Sequence, residues 1–310
     1  MFALISVEIC QKNKSVNQNF ISPSHMDTTT TPQNKLILVR KASGDNEPFA
    51  IEKLKRSLHN AGAEKETVLM IITDIKDWIF SGVTTKQIYS RAFKILRRER
   101  AHSAMRYRLK EAIFALGPTG YPFEQFIGQL FEKQGHDIEI GVVVDGYSVT
   151  HEMDVIANKE HVQNLVECKY HKDQGKQVSV QVPLYVRSRV NDIIRKRQKM
   201  AEYQDLSFKG WVVTNTRFTA DSIQYAKYND LHLLAWDYPQ NKGLKFLVED
   251  LKLYPITILH KLSRKQKQLL MKQGIVTCFQ LLNDMSQVEQ LKLTKRKETA
   301  LHQELMDICI

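Results

Sequence analysis

The sequence predicts an α/β chain of the α+β kind: an amino-terminal hairpin followed by four helices, a central core in αβββαβ order, and a small carboxy-terminal helical region. Three observations predict it. A short β-branched run at 36–41 gives way to successive stretches with apolar residues at helical spacing. Three strand-like runs follow one another between about 138 and 170, with helical and strand runs alternating after them. Residues 256–310 then show helical spacing with no strand pattern.

Composition narrows the function classes. The 310 residues, 43% hydrophobic and 25% charged, can bury more than one core and are too apolar for general disorder. The opening MFALISVEIC is too short to span a bilayer and carries Glu8, and no later stretch approaches ~18 uninterrupted apolar residues, so no membrane segment is expected. Cys10, Cys168, Cys278 and Cys309 are scattered, which excludes a CxxC zinc ribbon, gives no disulfide framework and fits a reducing cytoplasm. The net charge of +11 points to a polyanionic partner. The excess sits at the two ends: 35–119 carry +8, 120–255 carry −1 and 256–310 carry +4. The ends are therefore expected to supply most of the non-specific affinity for DNA, and the middle the chemistry.

Residues 1–34, rich in Asn, Gln, Ser and Thr, read as a flexible leader, with Met26 as an alternative start. From Leu36 to Ile51 a strand, the turn Ser43-Gly44-Asp45-Asn46 and a second strand read as a hairpin. Helices follow, with Ile51, Leu54 and Leu58 on one face of the first and Val68, Ile71, Ile72 and Ile75 on one face of the second. A third starts after Thr84, and a fourth, at about 102–116, ends at Gly117-Pro118. These make a domain over 35–118. A second domain, 119–255, opens with the helix of Phe123, Phe126, Ile127 and Leu130. Strand runs at IEIGVVV, VTHEMDVIA and VQNLVECKY come next, then a helix at about 184–204, a strand at KGWVVTN, a helix at 219–229 and a strand at LHLLAW. Residues 256–310 form the helical tail domain.

The residues that carry chemistry lie in the middle. Asp154 interrupts an apolar strand, and thirteen residues later Glu167-Cys168-Lys169 lies in the next strand, with Glu167 and Lys169 on one face and Cys168 turned to the core. Glu-x-Lys on a strand is by itself an ordinary solvated face. Acids among Val, Ile and Met need a partner or a metal, because an isolated buried charge is costly. A meander sets the two strands side by side, which brings two carboxylates and an ammonium together where strands splay. Asp154 and Glu167 are thus candidate ligands for Mg²⁺, an ion that prefers oxygen donors and keeps several waters, with Lys169 orienting the nucleophile or offsetting charge. Glu124, one helix upstream, is a further candidate. His171 after the strand is given little weight.

The segments YPFEQFIGQLFEKQGHDI, HEMDVIA, LVECKYH and GWVVTNTRFTADSIQYA resemble the successive motifs of Mrr-like restriction endonuclease domains of the PD-(D/E)xK nuclease superfamily, over about 120–240. The resemblance implies metal-dependent phosphodiester hydrolysis, with Asp154 as the motif Asp, Glu167 as the motif acid, Lys169 as the motif Lys and Glu124 as the helix acid sometimes added. Mrr relatives often have Gln in place of the acid, and the following helix here reads PLYVRSRVNDI, so the match is to a divergent branch and substrate rules do not carry over.

Upstream, LVRKASGDNEPFAIEKLKRSLHNAG with TTKQIYSRAFKIL is similar to the ATP-cone, a nucleotide-binding regulatory module, over about 36–117. The resemblance implies that ATP or dATP binds here. Physically, Arg40 and Lys41 offer charge to a triphosphate, the Gly44 turn lets the backbone approach, and Lys53 and Arg56 complete the pocket. No Walker motif is present, so binding without hydrolysis is expected. Lys94, Arg97, Arg98, Arg100, Arg106, Arg108 and Lys110 form a basic cluster. The tail is loosely similar to a helix-hairpin-helix module, but Gln273-Gly274-Ile275 lacks the second glycine of the hairpin. These features make a cytoplasmic DNA endonuclease tuned by ATP or dATP the first expectation, compatible with a homo-oligomer. The alternative is a non-enzymatic nucleotide sensor that binds nucleic acid or a partner protein.

Overall fold

A central five-stranded sheet organises the chain in the computed structural model, which describes residues 37–61, 63–99 and 108–310. The chain divides into two units, 1–35 and 36–310. The expected leader, residues 102–107 of the expected fourth helix, and Arg100 and Arg106 of the basic cluster lie outside the described residues.

The hairpin pairs β1 (Leu38–Arg40) with β2 (Asn46–Pro48), register Val39↔Glu47. It is shorter than expected. The turn runs from Lys41, whose N–H donates to Asp45 O, and Gly44 takes φ +93°, a conformation free of strain only for glycine. Asn46 belongs to the second strand, not the turn, and after Pro48 only one further bond, Phe49 N–H to Ile37 O, precedes α1 (Ile51–Asn60). Three helices, α1, α2 (Lys65–Trp78) and α3 (Thr85–Glu99), close over the hairpin. Their core joins Val39, Leu54, Leu58, Val68, Ile71, Ile75, Ile88, Ala92 and Leu96. The expected fourth helix is present over α4 (Leu109–Phe114), and its buried residues join a different cluster from that of the other three. Leu109, Ala112, Ile113 and Leu116 enter the cluster beneath the central sheet, and Ala112 O accepts a bond from the Thr257 hydroxyl at 2.6 Å. Its apolar face meets the larger core, which is why it leaves the amino-terminal bundle.

The sheet has the order β3-β4-β5-β7-β9. β3 (Asp137–Asp145), β4 (Thr150–Lys159) and β5 (Val162–Lys169) form an antiparallel meander, and β7 (Ser207–Thr214) and β9 (Leu231–Leu234) join in parallel. Parallel neighbours need crossovers. The first is α6 (Gln181–Arg197) and the second α7 (Ala220–Tyr228), whose N-cap Thr219 accepts the Ser222 N–H. α6 starts earlier than expected because Pro183 fits the first helical turn, where no N–H is needed. Two short strands, β6 (Gln177–Val178) and β8 (Arg217–Phe218), pair in parallel as a minor sheet that the sequence pattern does not show.

Helices cover both faces. α5 (Tyr121–Lys133) lays Phe123, Phe126, Ile127 and Leu130 against Val155, Ala157, Val166, Cys168 and Val213. On the other face α6 lays Val186, Val190 and Ile193 against Ile156, Leu165, Val212 and Leu233. A helix that the sequence reading did not include, α8 (Leu244–Asp250), closes the expected second domain, and the tail beyond 256, with α9 (Arg264–Lys272), α10 (Cys278–Asn283) and α11 (Lys295–Cys309), is helical as expected. Its Leu270, Leu281, Leu301, Leu305 and Ile308 belong to the same buried cluster as α5. Capping boxes at Ser263–Gln266 and Thr277–Gln280 set the starts of α9 and α10. Among the described residues no helix is long and apolar enough to cross a membrane.

Candidate active site

The β4–β5 ladder ends at Val155↔Val166, and Asp154 and Glu167 take the next facing positions. The strands part there because the Asp154 carboxylate replaces a backbone acceptor: it takes the Cys168 N–H at 2.6 Å. On its other flank Asp154 lies opposite Gly141 of β3, in the register set by Ile140↔Val155 and Val142↔Met153. Gly141 has φ +65° and nothing within 4 Å of where a Cβ would sit, which leaves open space beside the acid.

Burial, and then the Glu167 charge, push the Asp154 carboxyl up to about 7, against the pull of the Cys168 N–H. Burial also raises Glu124, in the first turn of α5, with Glu152 and Glu167 adding to it. Three of the sequence candidates therefore sense one another's charge at one edge of the sheet. An excess of negative charge with too few counter-ions is the condition a divalent cation relieves, and two carboxylates with water suit Mg²⁺. Among the described residues no group of three or more His, Cys, Asp or Glu side chains is gathered to hold a metal.

Glu167 is only 8% exposed, and its two oxygens are held by α6. The Tyr185 hydroxyl donates to Oε1 at 2.8 Å, and Arg189 donates to Oε2 at 2.5 Å while also bonding Glu152 O at 3.1 Å. A carboxylate has about four acceptor directions, so these two bonds leave others for a ligand. Tyr185 and Arg189 were not among the sequence candidates. Their i,i+4 spacing beside the apolar stripe of Val186, Val190 and Ile193 is the signal that could have found them.

Lys169 ends β5, paired with Thr214 of β7. Among the described residues its ammonium makes no ion pair, while its backbone is fixed: the Thr214 hydroxyl donates to Lys169 O at 2.7 Å. Asn215 clamps the next turn, accepting His171 N–H and donating to His171 O, each at 2.8 Å. Thr214 and Asn215 are fully buried. Burial and Lys169 lower the pKa of His171, and among the described residues its buried Nε2 has no hydrogen-bond partner. Cys168 points into the α5 cluster, away from the acids, and burial pushes its thiol up.

The amino-terminal candidates gather around the hairpin. Lys41 lies 2.6 Å and Lys53 3.4 Å from the same Glu47 oxygen, an acid that the reading of the basic residues had not included. Arg40 and Arg56 are exposed. The hairpin turn touches the loop that leaves Lys169: a Cβ on Gly175 would come within 2.9 Å of Ala42 O.

Residues 118–239 match the family model of the restriction endonuclease, Mrr_cat. This segment is similar to a restriction-endonuclease domain. It contains Glu124, Asp154, Glu167 and Lys169, and it is followed over 254–309 by a match to the AF1548-like C-terminal family. Neither match reaches the hairpin and α1–α3. An uncharacterized protein of Archaeoglobus fulgidus is 29% identical over 156 residues, 49% of this chain and 81% of its own length. The crystal structure of AF1548, a protein of unknown function, covers 62% of this chain and 98% of its own at 25% identity and a TM-score of 0.50. The MspJI restriction endonuclease in complex with a 27-mer oligonucleotide, at 12% identity and a TM-score of 0.33 over 68% of this chain and 44% of its own, is too distant to argue from. The segment similar to an endonuclease domain is thus followed by a helical region that matches a family of its own.

Proposed function

We propose that the chain is a metal-dependent DNA endonuclease whose endonuclease domain hydrolyses phosphodiester bonds at the Asp154–Glu167–Lys169 edge. The observation that carries this reading is the pair of facing carboxylates on splayed strands, inside a domain whose family chemistry is phosphodiester cleavage. Asp154 and Glu167 would hold Mg²⁺, which supplies charge stabilisation and a more acidic water when bound. Tyr185 and Arg189 hold Glu167 in one orientation. Lys169, its backbone fixed by Thr214 and its ammonium unpaired, orients the attacking water or offsets charge on the phosphoryl oxygens. Incubating the full chain with plasmid DNA, with and without Mg²⁺, tests the proposal; intact supercoiled DNA under all metal conditions would refute it.

Residues 36–117 are proposed to bind ATP or dATP as a regulatory ligand. Arg40, Lys41, Lys53 and Arg56 around the positive-φ turn at Gly44 support this, together with the resemblance of 36–117 to the ATP-cone. Glu47 opposes it by neutralising two of the cations. Calorimetry with the full chain decides the point. Nucleotide binding with no cleavage would favour the non-enzymatic sensor instead.

A further inference from the structure

A second feature lies next to the cleavage edge. A cavity of about 330 Å³ opens between the segment that leaves β5 and the start of α9. Its walls are Phe114, Ala115, Gly117, Pro118 and Tyr170 on one side and Thr257, Gln268 and Met271 on the other, with Lys172, Arg264 and Lys267 as its only charged residues. Lys267 is anchored, donating to Thr257 O at 2.9 Å, and burial lowers its ammonium. Lys172 and Arg264 are exposed and, among the described residues, neither makes an ion pair or a side-chain hydrogen bond. No carboxylate lines the cavity, although Glu304 lies near enough to act on Lys267, so the exposed Lys172 and Arg264 leave an excess of positive charge that draws an anion.

We infer that this cavity is a phosphate-binding track for the DNA strand that flanks the scissile bond. The inference rests on the endonuclease reading. Lys172 lies three residues after Lys169, so their Cα atoms are at most about 10 Å apart. At about 3.4 Å of rise per nucleotide, that is within about three nucleotide steps of the phosphate at Lys169. Tyr170 fixes the floor: its hydroxyl donates to Phe114 O at 2.6 Å and its ring packs against Gly117, where a Cβ would overlap it. The helical tail thereby contributes directly to substrate binding through Arg264 and Lys267, a role that the charge excess of 256–310 leaves unlocated.

The test is equilibrium binding of a duplex oligonucleotide to the full chain in EDTA over a range of salt, for wild type, the K172A/R264A double variant, and a control, K295A/R296A, that removes two exposed charges from the start of α11. Loss of two phosphate contacts should make the slope of log K against log salt shallower by about 1.8, with weaker binding at low salt, for the first variant alone. Both altered side chains are exposed, so an unchanged thermal melt is expected and checks the fold. Equal slopes for wild type and K172A/R264A overturn the track, as does an equal loss in the control, which would mean a diffuse charge effect. If ATP binds wild type but not K172A/R264A while DNA binding is unchanged, the cavity takes a free nucleotide and the inference fails. Because binding is read without metal, these outcomes are separate from a failure to cleave, which would refute the endonuclease reading alone.

Discussion

Lys169 and Glu167 share one face of a strand, yet they are held in opposite ways. Glu167 is bonded on both oxygens and mostly buried, whereas Lys169 has a fixed backbone and an uncommitted ammonium. Lys169→Ala should therefore lower plasmid cleavage by about 100-fold or more, the scale for loss of one preorganised electrostatic group, without moving the thermal melt. Asp154→Ala should abolish cleavage as well, and wild-type rates from either variant would remove the assignment. Arg189→Met acts on stability: it strands Glu167 without its cation. We expect a loss of about 2 kcal/mol in urea denaturation, below the 3–5 typical of a fully buried pair because Arg189 is 27% exposed. The positions of Asp154 and Glu167 were legible in the sequence because an acid among Val, Ile and Met breaks an otherwise apolar run. Arg189 and Tyr185 were not, since helical periodicity shows which face is apolar but not which strand residue its polar margin will meet.

Among the elements, the meander could be read directly, because apolar runs broken at Asp145-Gly146 and Asn158-Lys159-Glu160 leave little freedom of pairing. The paired β6 and β8 could not, since two-residue strands have no period to detect. The β3–β4 turn depends on a distant helix. Asp192 of α6 takes His151 Nε2 at 2.9 Å and the N–H groups of Ser148 and Val149 at 3.0 and 3.3 Å. These bonds, that of His151 foremost, hold the Asp192 carboxyl well below the usual carboxylate range. A depressed carboxyl contributes stability above its unfolded value, about 3.9, and loses it as pH falls through the folded value. The melting temperature of Asp192→Asn should thus lie below that of wild type at pH 7, and the gap should shrink progressively below about pH 4; a gap independent of pH would show that the carboxylate charge contributes nothing. At the loop after β5, Gly175→Val should push the Ala42 carbonyl away and speed proteolytic nicking between Lys41 and Asp45, with the sheet's melt unchanged.

For the whole molecule, the buried clusters decide what can be separated. The hairpin and α1–α3 have a core of their own, whereas the sheet face under α5, the helix α4 and the tail share one. A chain starting at 108 should therefore melt cooperatively without the amino-terminal bundle. A chain ending at 253 should lose cooperative melting, since it exposes Leu116, Phe123 and Leu130 to water where Ile256, Leu270 and Leu305 had covered them. Circular dichroism melts of the two truncations check both statements. The assignment of 109–116 to the first bundle from sequence was reasonable by spacing alone; a helix with an apolar stripe does not name its partner, and here the larger core took it.

The common core also constrains how a substrate strand is admitted. The connection from β9 to the tail is exposed at Asp237, from Pro239 to Lys242 and at Lys252, while Ala235, Leu244, Val248, Leu253, Tyr254 and Ile256 tie it into the buried clusters. If Lys172 and Arg264 line a phosphate track as inferred above, walls tied into this common core would offer a backbone a spacing with little freedom to adjust. Nucleic acids of different helical form should then bind the full chain with different affinity, without any contact to a base.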